Sequence, residues 1–247
     1  MILDEDLEKA AVREAYDLVK GGKTKEGVEL FMMLAEEDNP DALYVLGELY
    51  AFGWIEGKED WENANFCFAR AGELGHKKAL YEYGRNICFG IATKQDENRG
   101  VALIQRSAER GYTPAMIEIG DRYKDGEGVK KDYHYAEYFY KKAAEKGDIE
   151  AHKALGYFYS EEDESLIRPR DAFYHYQVAA EAGEVESMRK LGEFYLKGFG
   201  VDADIYEGAR YLFKAAYRGD EEAKKMIEED TALSIICAME KFEEDES

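Results

Sequence analysis

Proline, cysteine and histidine are scarce: the 247 residues hold three Pro, three Cys and four His. Few prolines leave room for long uninterrupted helices, because an internal proline breaks the helix it sits in. The cysteines (Cys67, Cys88 and Cys237) are too few, and odd in number, for a disulfide framework. No stretch without Asp, Glu, Lys or Arg exceeds nine residues (Ala172–Ala180 and Thr231–Met239), whereas a membrane span needs about twenty apolar residues. The opening Met1-Ile2-Leu3-Asp4-Glu5-Asp6 lacks the basic and apolar segments of a secretory signal, and no Asn-x-Ser/Thr site occurs. These absences set the expectation of a cytoplasmic protein without a membrane segment.

Basic charge is also in short supply. Thirty-three Lys and Arg face 54 Asp and Glu, a formal charge of −21. Nucleic acid and anionic membranes carry the same sign, so neither is an expected partner. What is abundant is core material: 45% of residues are apolar, with nineteen Tyr and twelve Phe, which excludes a disordered chain. The length suits one large domain or two small ones.

Self-similarity organises the rest. Alignment on a small residue, an apolar residue plus Gly, and a third apolar or aromatic position gives five windows. They are Ala42/Leu46-Gly47/Tyr50, Ala79/Tyr83-Gly84/Ile87, Ala115/Ile119-Gly120/Tyr123, Ala151/Leu155-Gly156/Tyr159 and Ser187/Leu191-Gly192/Tyr195. These glycines are 37, 36, 36 and 36 residues apart, and a second series, Gly75, Gly111, Gly147, Gly183 and Gly219, recurs every 36. Two registered series define a repeat protein.

Each window reads as two helices. The first carries its stripe at i, i+4 and i+8, a helical period. The second ends in a triplet at i, i+4 and i+7: Ala64/Phe68/Ala71, Gly100/Ile104/Ser107, Ala136/Tyr140/Ala143, Ala172/Tyr176/Ala179 and Gly208/Leu212/Ala215. The Gly after each second helix suits a left-handed stop. Glycine inside a helix costs about 1 kcal/mol relative to Ala, so its recurrence in the first helix predicts a neighbour pressing on the backbone. Pro40 and Pro114 open first helices and Pro169 opens a second, where a missing N–H is harmless.

The pattern resembles the Sel-one-like repeat, a relative of the tetratricopeptide repeat, with the hallmark A-x-x-x-L-G-x-x-Y-x-x-G-x-G-V-x-x-D and a second helix ending A-A-x-x-G. Repeat three matches most fully: Ala115, Ile119-Gly120, Tyr123, Gly126-Glu127-Gly128-Val129, Asp132 and Ala143-Ala144-Glu145-Lys146-Gly147. Repeat five carries Gly198-Phe199-Gly200-Val201 and Asp204. Resemblance covers about residues 40–222. It implies an all-α fold, a right-handed superhelix (solenoid) of helix-turn-helix repeats of about 36 residues. Repeats one and two depart from it at Gly53-Trp54-Ile55-Glu56-Gly57 and Gly90-Ile91-Ala92-Thr93, and repeat four substitutes the acidic loop Ser160–Ser165. In those three the loop geometry is open although its length is kept.

The ends read as caps that cover the terminal apolar faces of one continuous stack. Residues 1–39 form an N-terminal capping unit whose second helix keeps Val28/Met32/Ala35. Residues 223–247 supply C-terminal capping helices and an acidic tail: Ala223 and Ile227 begin a first helix, and Thr231 is the expected N-cap of a closing helix with Ala232, Ile235, Ile236 and Met239. That gives about fourteen helices and no strand. Residues 1–40 and 220–247 hold −14 of the −21, an acidity expected to favour solubility and oppose end-to-end stacking.

Motifs with chemical connotations reduce to repeat architecture. Gly22-Lys23-Thr24 echoes a phosphate loop, but Asp17 stands where a glycine is needed and the preceding segment is helical. Gly126-x-Gly128 lacks the third glycine and the strand of a dinucleotide site. His76, His134, His152 and His175 fall in different repeats without metal-ligand spacing, so neither a metal nor a catalytic dyad is expected. Cys67 and Cys88 are expected to be buried small hydrophobes. Trp54 and Trp61 flank one loop and either pack on repeat one or form an exposed aromatic patch. No cofactor, metal ligand set or catalytic residue is expected.

Resemblance also places the groove-facing positions, three residues before and one after each first-helix Gly. They are Tyr44 and Glu48, Tyr81 and Arg85, Ile117 and Asp121, Lys153 and Tyr157, Arg189 and Glu193, and their net charge is zero. Aromatic and Arg side chains favour interface centres. The resulting expectation is a non-enzymatic scaffold or adaptor, a monomer that binds a protein or peptide partner in a concave groove. The alternatives are an enzyme, a hydrolase by likeness to relatives with cell-wall-active ligands, or a small-ligand binder using Tyr44, Tyr81 and Phe89.

Overall fold

Helices form wherever the stripe of small, apolar and aromatic residues runs. A computed structural model describes residues 5–55, 57–161 and 163–236, with side chains from Lys9 onward. Its elements are α1 (Glu5–Lys20), α2 (Thr24–Glu36), α3 (Pro40–Ala51), α4 (Trp61–Glu73), α5 (Lys77–Phe89), α6 (Glu97–Glu109), α7 (Thr113–Asp125), α8 (Tyr133–Ala144) and α9 (Ile149–Phe158). A short 3-10 turn (Glu164–Leu166) precedes α10 (Pro169–Glu181), α11 (Val185–Lys197), α12 (Ile205–Tyr217) and α13 (Glu221–Glu229). Residues 231–236 are again helical, and no strand occurs among the described residues. Cys237, Met239 and the acidic tail lie outside them.

The chain packs as two compact units, Met1–Ala136 and Glu137–Ser247, with the boundary inside α8. In the first unit, Ala15, Phe31, Leu46 and Ala42 lie in one apolar cluster and Leu43, Phe68, Ala64 and Ala71 in another. In the second, Tyr140, Phe158, Leu155, Tyr176, Leu191 and Leu212 are buried. Each large apolar side chain withdrawn from water in this way contributes about 1.5–3 kcal/mol.

First-helix glycines pack in two ways. A Cβ on Gly47 would enter the ring of Phe68, and one on Gly156 would lie 2.7 Å from the ring of Tyr176. On Gly84 it would lie 2.8 Å from the Gly100 carbonyl oxygen, and on Gly192 2.7 Å from Leu212 and 3.0 Å from the Gly208 carbonyl. Where the second helix offers an aromatic ring its small residue is Ala (Ala64, Ala172); where it offers an aliphatic side chain the small residue is Gly (Gly100, Gly208). Volume is conserved by letting the backbones approach.

The N-terminal unit departs from this pairing, with Gly beside an aromatic ring, and sits one residue out of the expected register. Its triplet is Gly27/Phe31/Leu34, because a Cβ on Gly27 would lie 2.8 Å from the Ala15 carbonyl oxygen and Phe31 is fully buried. Val28 is buried as well, whereas Met32 and Ala35 are only partly so. The register is set by which residue admits the α1 backbone, and only glycine does.

Turns between the two helices of a repeat share a return hydrogen bond. The residue before each second helix donates its N–H to a carbonyl near the end of the first: Asp60 to Tyr50 (2.9 Å), Asp96 to Ile87 (3.1 Å), Asp132 to Tyr123 (2.8 Å), Arg168 to Tyr159 (2.9 Å) and Asp204 to Tyr195 (2.9 Å). The three divergent loops therefore keep this closure. In repeat two, Ala92 replaces the second glycine of the turn and adopts φ 48°, beside 68° for Gly128 and 75° for Gly200. In repeat four the acidic loop closes on Glu137, whose Oε1 accepts from Lys141, Tyr159 and Arg168, each at 2.7 Å. Burial raises the Glu137 carboxyl, but these bonds outweigh it and hold the group down at about 2.

Much of the acidity caps helices. Carboxylates of Asp60, Asp96, Asp132, Asp148, Glu184, Asp204, Asp220 and Asp230 accept backbone N–H groups at helix starts. Each such cap stabilises by about 1 kcal/mol and suits the positive end of the helix dipole. The final helix is capped by Asp230, not Thr231: its Oδ1 accepts from Ala232 (2.9 Å) and Leu233 (3.2 Å). Asp230 is extended (φ −116°, ψ 114°), which aims its carboxylate at those amides. Solubility is thus not the only role of the acids near the C-terminus.

Candidate partner-binding face

The first helices of unit one bring their predicted positions side by side. On α3 the Tyr44 hydroxyl donates to Glu48 Oε1 at 2.7 Å, and the ring stacks on His76 with centroids 4.4 Å apart. On α5, Tyr81 packs edge-on against Tyr112 (5.3 Å), and Arg85 lies over the rings of Tyr81 (5.6 Å) and Phe89 (5.9 Å). Arg85 also approaches Glu118 of α7 at 3.8 Å, and the Tyr81 hydroxyl bonds the same carboxylate. Burial, followed by the carboxylates of Glu48 and Glu118, raises the Tyr44 and Tyr81 phenols, so both remain protonated donors. Ile117 and Asp121 of α7 are half-buried.

Residues outside the predicted ten complete this face. Glu118 is held by Arg122, which is buried, at 3.0 Å. Glu82 is raised by burial; Arg85 opposes this, while Glu48 and Glu118 add to it. Tyr112 caps the row at the start of α7. Positions two before the glycine (Glu82, Glu118) thus lie among those three before and one after it.

Unit two treats the same positions differently. Lys153 pairs with Glu150 (2.8 Å) and lies 3.8 Å from Glu184 and 3.9 Å from Glu186. Arg189 is buried and meets Glu193 (2.8 Å), Asp220 (3.4 Å) and Glu222 (3.5 Å). Lys190 bonds Glu161 at 2.7 Å. Tyr157 is exposed. Here the charged positions are engaged within the unit.

The histidines do not all stay apart. His152 and His175 both lie in repeat four, and their Nδ1 atoms face each other at 3.0 Å. The expectation that all four fall in different repeats is therefore corrected: α9 and α10 place positions 23 residues apart in contact. Burial, and then the neighbouring His152, push His175 down to about 4, so both rings are neutral and one donates to the other. Among the described residues, no group of three or more His, Cys, Asp or Glu is arranged to hold a metal ion. Cys67 and Cys88 are buried free thiols, and burial raises Cys67 to about 11. The two Trp separate: Trp61 packs on the repeat-one cluster and donates to Glu59 (2.9 Å), while Trp54 is 59% exposed.

Comparison with known proteins agrees with this architecture. A protective antigen of uropathogenic Escherichia coli with an SLR fold superposes with a TM-score of 0.80 at 28% identity, over 87% of this chain and 47% of the antigen. This chain thus spans about half the length of that protein. A Sel1 repeat protein from Oxalobacter formigenes gives a TM-score of 0.76 at 26% identity, over 88% of this chain and 86% of the other. An immunity protein from Pseudomonas aeruginosa shares the fold (TM-score 0.50, 22% identity, 88% and 83% coverage). The Sel1 repeat pattern matches residues 40–76, 77–112, 113–148, 149–184 and 185–220, and the chain belongs to the Sel1 repeat family.

Proposed function

We propose that this chain is a non-enzymatic scaffold or adaptor that binds a protein or peptide partner along the face of its first helices. Sel1 repeats are in general protein-interaction modules, and no cofactor enters this reading. The observation that carries it is the Tyr44–Tyr81–Arg85–Phe89 row of unit one. Its aromatic and Arg side chains are partly exposed yet fixed by hydrogen bonds and ring contacts. Side chains already ordered before binding lose less entropy on association, and aromatic and Arg groups dominate interface energetics. Lys153, Arg189 and Glu193 are satisfied internally and leave Tyr157 as the exposed position of unit two, so unit one supplies the proposed contact, with Ile117 and Asp121 extending it. No described helix is long and apolar enough to cross a membrane, and a cytoplasmic monomer is the proposed working form.

Affinity capture from the native cell, read by quantitative mass spectrometry, tests this. A partner recovered by the wild type is expected to be lost with Tyr81→Ala plus Arg85→Glu at unchanged helicity. Equal recovery by the double variant would overturn the assignment.

A further inference from the structure

Beside Glu48 the surface opens into an apolar recess of about 450 Å³ between α1, α2, α3 and the loop that follows α3. Tyr16, Phe31, Val45 and Leu49 line it, with Phe52 (69% exposed) and Trp54 (59% exposed) at its edge. Two large apolar side chains held in water next to a concave apolar wall are what a partner's anchor residue covers. The rim carries one cation and one carboxylate. Lys20 lies 5.6 Å from the centre of the Tyr16 ring, and Glu48 continues from the recess onto the first-helix face.

Along that continuation the cations are already committed to other carboxylates. Arg85 and Arg122 are drawn to Glu118, and Arg122 also to Glu97 at 3.7 Å. Glu48 accepts the Tyr44 hydroxyl, and among the described residues neither Glu48 nor Glu82 forms an ion pair. Two half-buried carboxylates outside any ion pair, Glu82 only opposed at longer range by Arg85, adjoin an apolar recess and complement a ligand that brings both a cation and an apolar group.

We infer that the recess and the Glu48/Glu82 carboxylates together dock a partner segment that places a large apolar side chain against Trp54 and Phe52 and a Lys or Arg beside Glu48 and Glu82. This rests on the scaffold reading above and specifies the chemistry of the partner. The basic residue supplies the ion-pair partner that Glu48 and Glu82 lack, and the recess discriminates against segments that are merely basic.

Selection of a random displayed-peptide library on the full chain tests it, with Trp54 fluorescence in a Trp61→Phe background as the local readout. Enriched peptides are expected to pair Lys or Arg with a large apolar residue within about one helical turn and to shift Trp54 emission to the blue. Glu48→Gln plus Glu82→Gln, isosteric changes checked by circular dichroism, are expected to weaken them at least about tenfold, and Trp54→Ala to do the same. Enrichment of acidic or charge-neutral peptides, or binding indifferent to these variants, would overturn the inference. If such peptides are still lost with Tyr81→Ala plus Arg85→Glu, the first-helix face survives as a binding site and only the recess fails. No enrichment at all would count against both readings. Concentration-dependent self-association abolished by Trp54→Asp would instead assign the recess to a second copy of the chain.

Discussion

His76 stacks on Tyr44 with ring centroids 4.4 Å apart and planes inclined by 22°, while its Nδ1 accepts the Ala79 N–H at 3.1 Å and its Nε2 faces Asp41 at 3.4 Å. One side chain thereby caps α5, supports the Tyr44 ring of the proposed binding face and ties α3 to the next repeat. His76→Ala removes a cap worth about 1 kcal/mol and a ring contact worth about 0.5–1.5 kcal/mol. Urea unfolding is expected to show a loss of about 1–2 kcal/mol, with His76→Asn recovering the cap portion.

Acid is expected to destabilise the fold through its histidines. His76, His152 and His175 are all lowered below 6.5, chiefly by burial, and His175 reaches about 4. The unfolded chain therefore binds more protons between about pH 6.5 and pH 4, so stability is full above that window and falls as pH drops through it. Glu137, held at about 2 in the fold, adds a further loss below pH 4.5. For His175, whose partial solvent access reduces the effect, about 1 kcal/mol is expected between pH 7 and pH 5. Urea titrations at both pH values check this, and His175→Asn is expected to flatten the slope.

The two styles of glycine packing respond differently to a methyl group. Gly156→Ala drives Cβ into the Tyr176 ring, and Gly84→Ala drives it at the Gly100 carbonyl. Helix propensity favours alanine by about 1 kcal/mol, but overpacking costs about 1–3 kcal/mol and prevails where the obstacle is backbone. Gly84→Ala is expected to destabilise irrespective of changes at Ile104. The loss in Gly156→Ala is expected to be partly recovered by Tyr176→Leu, measured as a double-mutant cycle.

Ala92 holds a left-handed conformation (φ 48°) that its Cβ disfavours. Ala92→Gly relieves this strain, while the added freedom of the unfolded chain takes part of the gain back. A net stabilisation of about 0.5–1 kcal/mol is expected in thermal unfolding. Gly128→Ala, at the equivalent turn position of repeat three, is expected to destabilise, since its Cβ would also lie 2.8 Å from Val101.

The fold was legible in the sequence because its constraints are local and repeated. A glycine that ends a helix and a glycine beneath a ring each leave a mark every 36 residues. Relations between neighbouring helices leave no such mark. Glu82 and Glu118 come beside Arg85 across α5 and α7, and His152 meets His175 through the packing of α9 on α10. Asp230 and Thr231 are both competent caps, and backbone direction chose between them. The carboxylates that pair with Arg189 lie partly at and beyond the start of α13 (Asp220 at its N-cap, Glu222 within it), so its burial could not be read from repeat position alone.

That the first-helix face binds a partner is tested most directly by hydroxyl-radical footprinting of the full chain with its captured partner. Tyr44, Tyr81 and Phe89 are expected to lose reactivity on binding. Phe66 of α4 and Tyr217 of α12, 70% and 79% exposed on second helices, are expected to keep theirs. Protection of Phe66 and Tyr217 with Tyr44, Tyr81 and Phe89 unchanged would contradict the assignment.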